Sequence, residues 1–237
     1  MEYPKPSPEG THHVTLSGSD AYSARFIEVG KFHAPGLAPV QDGSGWYHIR
    51  LDGSPAYVDR YHKVWGFYYD RAAALDGQGW THILPCGTPA YAERFIWAGN
   101  FQDEISVVQS HEGFFHISKE GIRFYASNYA YAGDFRDGIA VVTSRQDGLS
   151  RHIDFSGQYL HPYAFLELDV FHKGFARARD TKGWFHIDRT GRPCYLDKFM
   201  GLEPFYNGLA VARTHDGQVI RINQFGVVVE KLSLSSN

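Results

Sequence analysis

The sequence predicts an all-β fold, a tandem repeat of short antiparallel meanders, and three observations support this prediction. A motif that opens with histidine recurs at spacings of 35, 34, 34, 36 and 34 residues. Asp-Gly and Gly-x-Gly turns alternate with short apolar runs along the chain. No segment shows sustained helical spacing of its apolar residues. A period in this range is typical of stacked or ring-shaped domains, in which each unit buries its apolar face against its neighbours.

The repeat also predicts the domain boundaries. Residues 1–11 form an N-terminal extension, residues 12–230 a single repeat domain and residues 231–237 a C-terminal tail. An N-terminal hairpin is expected from about His13 to Tyr22. The units begin at His13, His48, His82, His116, His152 and His186, and a partial seventh copy begins at Arg221.

Each element of the unit follows from a column of the repeat. A glycine stands five residues after every opening histidine and supplies the positive φ of a hairpin turn. Aromatic rings recur nine, thirteen and nineteen residues after the histidine, which indicates repeated core positions. The last of these columns holds Phe32, Phe67, Phe101, Phe135, Phe171 and Phe205. Each unit is therefore predicted to be a three-stranded meander, followed by a connection that carries the last two aromatic columns.

Six meanders and the N-terminal hairpin predict a propeller-like ring of six or seven short blades, because ring closure leaves only short, protected sheet edges. An open β-solenoid is the alternative, since a unit of 34 residues is short for a four-stranded blade. A radius of gyration of about 17–18 Å in small-angle scattering is expected for the ring. A markedly elongated particle would indicate the solenoid.

The Gly-Trp pairs, the period and the Phe…Gly-Leu-Ala-Val run resemble the WG, or KWG, repeat family. The matching stretches are residues 135–142, 183–191 and 205–211. This resemblance covers residues 12 to about 230, and it implies a bacterial, β-propeller-like repeat domain without catalytic residues of its own. Such domains are often joined to other domains. The chain departs from the family by placing histidine before isoleucine, so it looks like a His-rich branch.

The histidine column has two interpretations. In the strand Trp46-Tyr47-His48-Ile49, alternation places Trp46 and His48 on one face. A histidine beside a core tryptophan is expected to be a semi-buried group that holds a neighbouring repeat through a ring nitrogen. The alternative is a set of axial imidazoles that binds a metal or an anion. The candidates for this alternative are His48, His82, His116, His152 and His186.

Outside the repeat columns, the sequence contains no recognisable acid–base pair, activated nucleophile, phosphate loop or metal-ligand spacing. It therefore predicts no catalytic residues and no cofactor, and a non-enzymatic scaffold for protein–protein or interdomain interaction. Trp65 and Trp97 lie outside the Gly-Trp column and, with Tyr68, Tyr69 and Arg71, are candidates for the binding surface. The alternative is a small-molecule or glycan binder that uses the same aromatic residues. A weaker alternative is a metal-dependent enzyme with an axial histidine site.

Net charge, cysteine content and the N-terminal residues bear on the classes of partner and on the location of the protein. The net charge of −3 and the pI near 6.5 give no attraction to nucleic acid or to an anionic membrane. Cys86 and Cys194 show neither a disulfide framework nor zinc spacing. The N-terminus has no apolar signal segment, so a reducing, cytoplasmic location is expected.

Overall fold

The computed structural model of the protein describes residues 2–232. These residues form β-strands, turns and irregular connections, and no helix occurs among them. The prediction of an all-β tandem repeat of antiparallel meanders is confirmed. The chain divides between Phe124 and Tyr125 into two compact units, which are described separately. Ring closure, the solenoid alternative and the single repeat domain remain predictions.

The first unit contains one two-stranded sheet and three three-stranded antiparallel sheets. The two-stranded sheet consists of Lys5–Pro6 (β1) and His13–Val14 (β2). Blade 1 consists of Glu28–Val29 (β3), Ala38–Asp42 (β4) and Gly45–Ile49 (β5). Blade 2 consists of Lys63–Val64 (β6), Ala72–Asp76 (β7) and Gly79–Ile83 (β8). Blade 3 consists of Trp97–Ala98 (β9), Ile105–Ser110 (β10) and Gly113–Ser118 (β11).

The second unit contains two three-stranded sheets and one four-stranded sheet. Blade 4 consists of Tyr131–Ala132 (β12), Ala140–Thr143 (β13) and Ser150–Ile153 (β14). Blade 5 consists of Glu167–Leu168 (β15), Ala176–Asp180 (β16) and Gly183–Ile187 (β17). Blade 6 consists of Gly201–Leu202 (β18), Leu209–Arg213 (β19), Val219–Asn223 (β20) and Val228–Leu232 (β21).

Blade 2 shows the register that the repeat produces. Leu75 of β7 pairs with Lys63 of β6 on one side and with Trp80 of β8 on the other. The chain that follows β8 then returns along it, with isolated bridges from Ile83 to Pro89 and from Trp80 to Phe95. This return forms an interrupted fourth edge. A period of 34 residues can therefore complete a blade, because the connection to the next blade also serves as its last edge.

In blades 2 to 6 the turn between the first two strands has positive φ at two consecutive residues, as type I′ hairpin turns do, whereas the turn of blade 1 has it only at Gly36. Asp137 and Gly138 of blade 4 have φ of 50° and 78°. In blade 2 the same two positions hold Tyr69 and Asp70, with φ of 51° and 60°. Non-glycine residues in this region carry conformational strain. We refer to the ends of the blades where these turns lie as the turn rim.

The core of each unit consists of small side chains from the middle strands and of the repeated phenylalanine rings. The middle strands supply small or branched side chains, such as Ala72, Ala74 and Val108, which are at most 1% exposed. The phenylalanine column predicted from the sequence is buried in every repeat. Small residues in the middle strand leave room for these rings, so the repeated aromatic residues are accounted for by packing.

The ends of the repeat differ from its interior. Lys5–Pro6, which the sequence places in the N-terminal extension, pairs with His13–Val14 and adds a strand. The predicted hairpin after His13 is present, with a bridge from Val14 to Asp20. At the other end, Arg221 and Glu230 occupy the columns of the opening histidine and of the aromatic residue nine positions later. They form an ion pair at 2.6 Å and replace a buried contact with an exposed one. A polar terminal unit is typical of repeat arrays.

Phe135 and Trp97 test the division between core and surface. Phe135 is 3% exposed, so Phe135→Ala is expected to lower the free energy of unfolding by about 3–5 kcal/mol. Trp97 is 41% exposed, and Trp97→Ala is expected to cost about 1 kcal/mol or less. Urea denaturation of the two variants measures both values. Equal and large losses would place Trp97 in the core.

Candidate functional site

The histidine column forms the same set of contacts in five repeats. Each of these rings is at most 1% exposed and lies on the third strand of a blade, or on β2. In blade 1, His48 Nε2 lies 2.8 Å from the carbonyl oxygen of Trp65, and its Nδ1 lies 2.5 Å from the hydroxyl of Tyr57. The carbonyl stands seventeen residues after the histidine, at the first strand of the following blade. The histidine therefore connects consecutive blades.

The other repeats reproduce this geometry. The Nε2 atoms of His13, His82, His152 and His186 contact the carbonyl oxygens of Gly30, Gly99, Asp169 and Glu203 at 2.7–3.0 Å. Their Nδ1 atoms contact Tyr22, Tyr91, His161 and Tyr195. The phenylalanine nineteen residues after each of the five histidines packs on its ring, with centroids 3.8–4.6 Å apart. His116 is fully buried at the corresponding position.

These partners determine the protonation state of the imidazoles. A carbonyl oxygen only accepts, so Nε2 must carry the proton, and Nδ1 then accepts a hydrogen bond from the tyrosine hydroxyl. Burial lowers the pKa of His48, His82, His152 and His186 from 6.5 to about 4, although the carbonyl contact partly opposes this shift. The rings are therefore neutral near pH 7, and both nitrogens of these four rings are occupied.

This arrangement bears on the metal interpretation of the column. A metal could bind one of these imidazoles only after displacing a tyrosine hydroxyl or a backbone carbonyl from its nitrogen. Within residues 2–232, no group of three or more histidine, cysteine, aspartate or glutamate side chains is placed to hold a metal ion. The geometry is that of a buried connection between blades. The sequence contained a signal for it, since the spacing of nine residues to the tyrosine column is constant.

One repeat departs from the pattern and provides a test of the assignment. His161 stands in the tyrosine column, and its Nε2 lies 3.1 Å from His152 Nδ1. Because His152 Nδ1 accepts, His161 must donate from Nε2. Its own Nδ1 is then an acceptor, and this buried atom has no hydrogen-bond partner in the described part of the chain.

We expect His161→Tyr to raise the free energy of unfolding by about 1 kcal/mol, because the hydroxyl restores the contact and the unpaired acceptor disappears. Thermal unfolding at pH 7 measures the change. Tyr195→His, which introduces the same departure in the next repeat, is the reciprocal control and should destabilise by a similar amount. Destabilisation by His161→Tyr would contradict the assigned proton positions.

Three of the predicted binding residues lie on the turn rim. The Tyr68 ring packs on His33 with centroids 4.7 Å apart. The Tyr69 hydroxyl donates to Asp103 Oδ1 at 3.0 Å, which joins the turns of blades 2 and 3. Arg71 Nε donates to the carbonyl oxygen of Lys119 at 3.2 Å. These side chains already contact neighbouring turns of the same unit.

The two predicted tryptophans are placed differently. The Trp65 ring stacks on Trp80 of the same blade, with centroids 6.2 Å apart and planes 6° apart. Trp97 packs edge-on against Phe114 at 6.3 Å. Trp80 lies at the end of blade 2 where the β7–β8 turn is found, opposite the turn rim. The structure thus divides the predicted surface into a turn-rim group and a tryptophan group.

A groove lies beside the tryptophan group, between blades 2 and 3. Its volume is about 270 Å³. It is lined by Leu75, Gln78, Gly79, Trp80, Arg94, Phe95, Ile96, Ser110 and His111. Arg94 Nε donates to Asp76 Oδ2 at 2.8 Å, so the cation at this groove is already paired.

The sequence did not identify Trp80 and Ile96 as candidates, because Trp80 belongs to a repeat column and Ile96 to a connection. We call Trp65, Trp80, Ile96 and Trp97 the aromatic surface.

No family model and no curated protein match the chain. Similar solved structures exist. A eukaryotic initiation factor is 10% identical, with a TM-score of 0.54, and the match covers 94% of this chain and 70% of that one. BamB from Moraxella catarrhalis is 13% identical, with a TM-score of 0.49 and coverage of 92% and 79%. The designed protein Ika8 is 12% identical, with a TM-score of 0.48 and coverage of 98% and 85%. The first likeness shows a propeller-like fold and nothing of function.

Proposed function

We propose that this chain is a non-enzymatic repeat scaffold that binds a protein partner, as a separate chain or a fused domain, through the aromatic surface. One observation carries the proposal. Trp65, Ile96 and Trp97 are 43%, 46% and 41% exposed. Ile96 and Trp80 line the groove, and the Trp65 ring stacks on Trp80. Tryptophan is enriched among the residues that dominate binding energy at protein interfaces, since it contributes large apolar area with few rotatable bonds.

The dimensions of the site favour a protein over a small molecule. Pockets for small ligands are usually about 300–1,000 Å³ and enclose most of the ligand. The groove, at about 270 Å³, lies at the lower limit of this range, and the exposed rings extend beyond it over two blades. Exposed tryptophan rings beside a groove of this size are typical of an interface with an anchor position.

The proposal includes membership of the WG repeat family, which the Gly-Trp column and the period of about 34 residues support. In this His-rich branch, the histidine column would connect the blades and leave the rims for binding. The proposal also includes a cytoplasmic location, supported by two unpaired cysteines, Cys86 and Cys194. No helix in residues 2–232 combines the length and the hydropathy needed to cross a membrane.

The test is capture of the tagged chain from its cell of origin, followed by reconstitution with the recovered protein. A stoichiometric partner should bind the purified chain, and Trp65→Ala and Trp97→Ala should each weaken binding by about tenfold or more. Tyr206→Ala is the matched control, because Tyr206 is 75% exposed but belongs to the second unit. Tyr69→Ala should retain binding if the aromatic surface, and not the turn rim, forms the interface.

Loss of the partner with Tyr69→Ala and retention with Trp65→Ala would move the interface to the turn rim. If no protein binds and a glycan or metabolite panel gives saturable binding that is sensitive to Trp65→Ala, the protein-binding proposal is wrong.

A further inference from the structure

The tryptophans of the Gly-Trp column are covered by cations in two blades. The Lys63 ammonium, which belongs to blade 2, lies 3.3 Å from the centroid of Trp46 in blade 1. In blade 5, the guanidinium carbons of Arg177 and Arg179 lie 5.2 and 5.9 Å from the centroid of Trp184. A cation over an indole face is attracted by the ring quadrupole. Trp80 occupies the same column in blade 2, and no cation of the described chain lies over its ring.

The repeat explains why no cation of the described chain lies over Trp80, whose ring stacks on Trp65. Lys63 stands fifteen residues after His48, and the corresponding residue after His82 is Trp97. Trp97 does not reach back to Trp80. It packs on Phe114 of its own blade and over Gly99, where a Cβ atom would lie 2.9 Å from the indole. Trp80 lines the groove between blades 2 and 3, whereas Lys63 lies over Trp46 between blades 1 and 2.

We infer that this groove binds a lysine or arginine side chain of the partner, with its cation over Trp80 as Lys63 lies over Trp46. The inference rests on the proposed function and names the anchor residue of the partner. The volume of about 270 Å³ suits one long side chain. Gln78, Ser110 and His111 line the groove and offer side-chain acceptors for an ammonium or guanidinium group.

Arg94 does not oppose this occupant, because its charge is balanced by Asp76 and its Nε and Nη1 donors are engaged. Its Nε contacts Asp76 at 2.8 Å. Its Nη1 donates to the carbonyl oxygens of Ala92 and Glu93 at 3.0 and 3.2 Å. The arginine therefore points toward its own connection and its ion-pair partner Asp76. An incoming cation meets an ion pair and an indole face.

The test uses three capped tripeptides, acetyl-Gly-X-Gly-amide, with lysine, arginine or norleucine at X. Nuclear magnetic resonance follows the indole N–H signals of the five tryptophans during titration. The Trp80 signal, identified by its absence in Trp80→Phe, should shift with the lysine and arginine peptides. The norleucine peptide, which keeps the apolar stem without the charge, should bind about tenfold more weakly or not at all.

Lys63→Met provides a second test at a residue that does not line the groove, although its ammonium lies 5.4 Å from the centroid of Trp65. This variant removes the cation from Trp46, so the Trp46 signal should become responsive to the lysine peptide while the Trp80 response is unchanged. In the wild-type protein, the Trp46 signal should not move. The spectra themselves report whether each variant remains folded.

Equal shifts with norleucine and lysine would overturn the inference and indicate an apolar anchor. Absence of any Trp80 shift at millimolar peptide would also overturn it. If the peptides fail while a captured partner still depends on Trp65 and Trp97, only this inference is wrong. If the lysine peptide shifts Trp80 but no partner is found, the groove is a cation site and the proposed scaffold function fails.

Discussion

Acidification from about pH 6.5 to about pH 4 is expected to unfold this protein with uptake of several protons. The pKa of His48, His82, His152 and His186 is lowered by burial from 6.5 to about 4. Between these two values the unfolded chain binds protons that the folded chain excludes. The contribution of these histidines to the free energy of unfolding is therefore fully present above pH 6.5, and it is lost as the pH falls toward their pKa in the folded state.

The expected size of this effect is large. A pKa lowered from 6.5 to about 4 corresponds to about 3 kcal/mol for each histidine. Four such groups together would amount to about 12 kcal/mol, which is comparable to the roughly 5–15 kcal/mol that typically stabilises a folded protein. Unfolding should therefore occur before the folded histidines titrate. Carboxylates with a lowered pKa affect stability only at lower pH. Asp42, for example, has its pKa lowered below 3.8 by hydrogen bonds from Ser44.

Urea denaturation, followed by circular dichroism at a series of pH values from about 8 to about 4, measures this dependence through its slope. A slope of more than one proton in the window from pH 6.5 to 4 is the expected result. His62→Gln is the control, because His62 is exposed and lies outside the buried histidine column. Stability that is constant from pH 7 to pH 4.5 would contradict the buried, neutral assignment.

The second large effect is expected for Gly87→Ala, which should lower the free energy of unfolding by about 3 kcal/mol or more. Gly87 has φ of 89°, a conformation that alanine adopts only with strain. A Cβ atom there would lie 2.3 Å from Cγ of Tyr57, the tyrosine that donates to His48. The added methyl group would displace this ring and disturb the contact between consecutive blades.

Gly18→Ala is the matched control for Gly87→Ala. Gly18 occupies the same column with φ of 84°, but no atom lies within 4 Å of a Cβ built there. This variant should lower the free energy of unfolding by only about 1–2 kcal/mol, the cost of positive φ for a residue with a Cβ atom. The difference between the two variants, measured by urea denaturation, isolates the contact with the tyrosine ring. Equal losses would show that the ring moves without penalty.

The candidate site could be predicted only in part. The sequence identified Trp65 and Trp97 because they depart from the repeat columns, and both are exposed. It grouped them with Tyr68, Tyr69 and Arg71, which lie at the opposite end of the blade from Trp80. Two residues four positions apart in a hairpin, such as Trp65 and Tyr69, can lie toward different ends of a blade, because extended backbone separates them along the strand direction. Sequence proximity does not contain this information.

The sequence by itself determined the all-β class, the meander and the buried phenylalanine column, because a side chain that must fill the same space in every unit recurs at the same position. Tertiary structure alone decided which groups those columns bring together. The pairing of His48 with Tyr57 and with the Trp65 carbonyl depends on how one blade packs against the next. The groove at Trp80 depends on the direction in which Trp97 packs, toward Phe114 of its own blade. Rotamers and contacts between blades are set by packing, and a repeat period records only that such packing recurs.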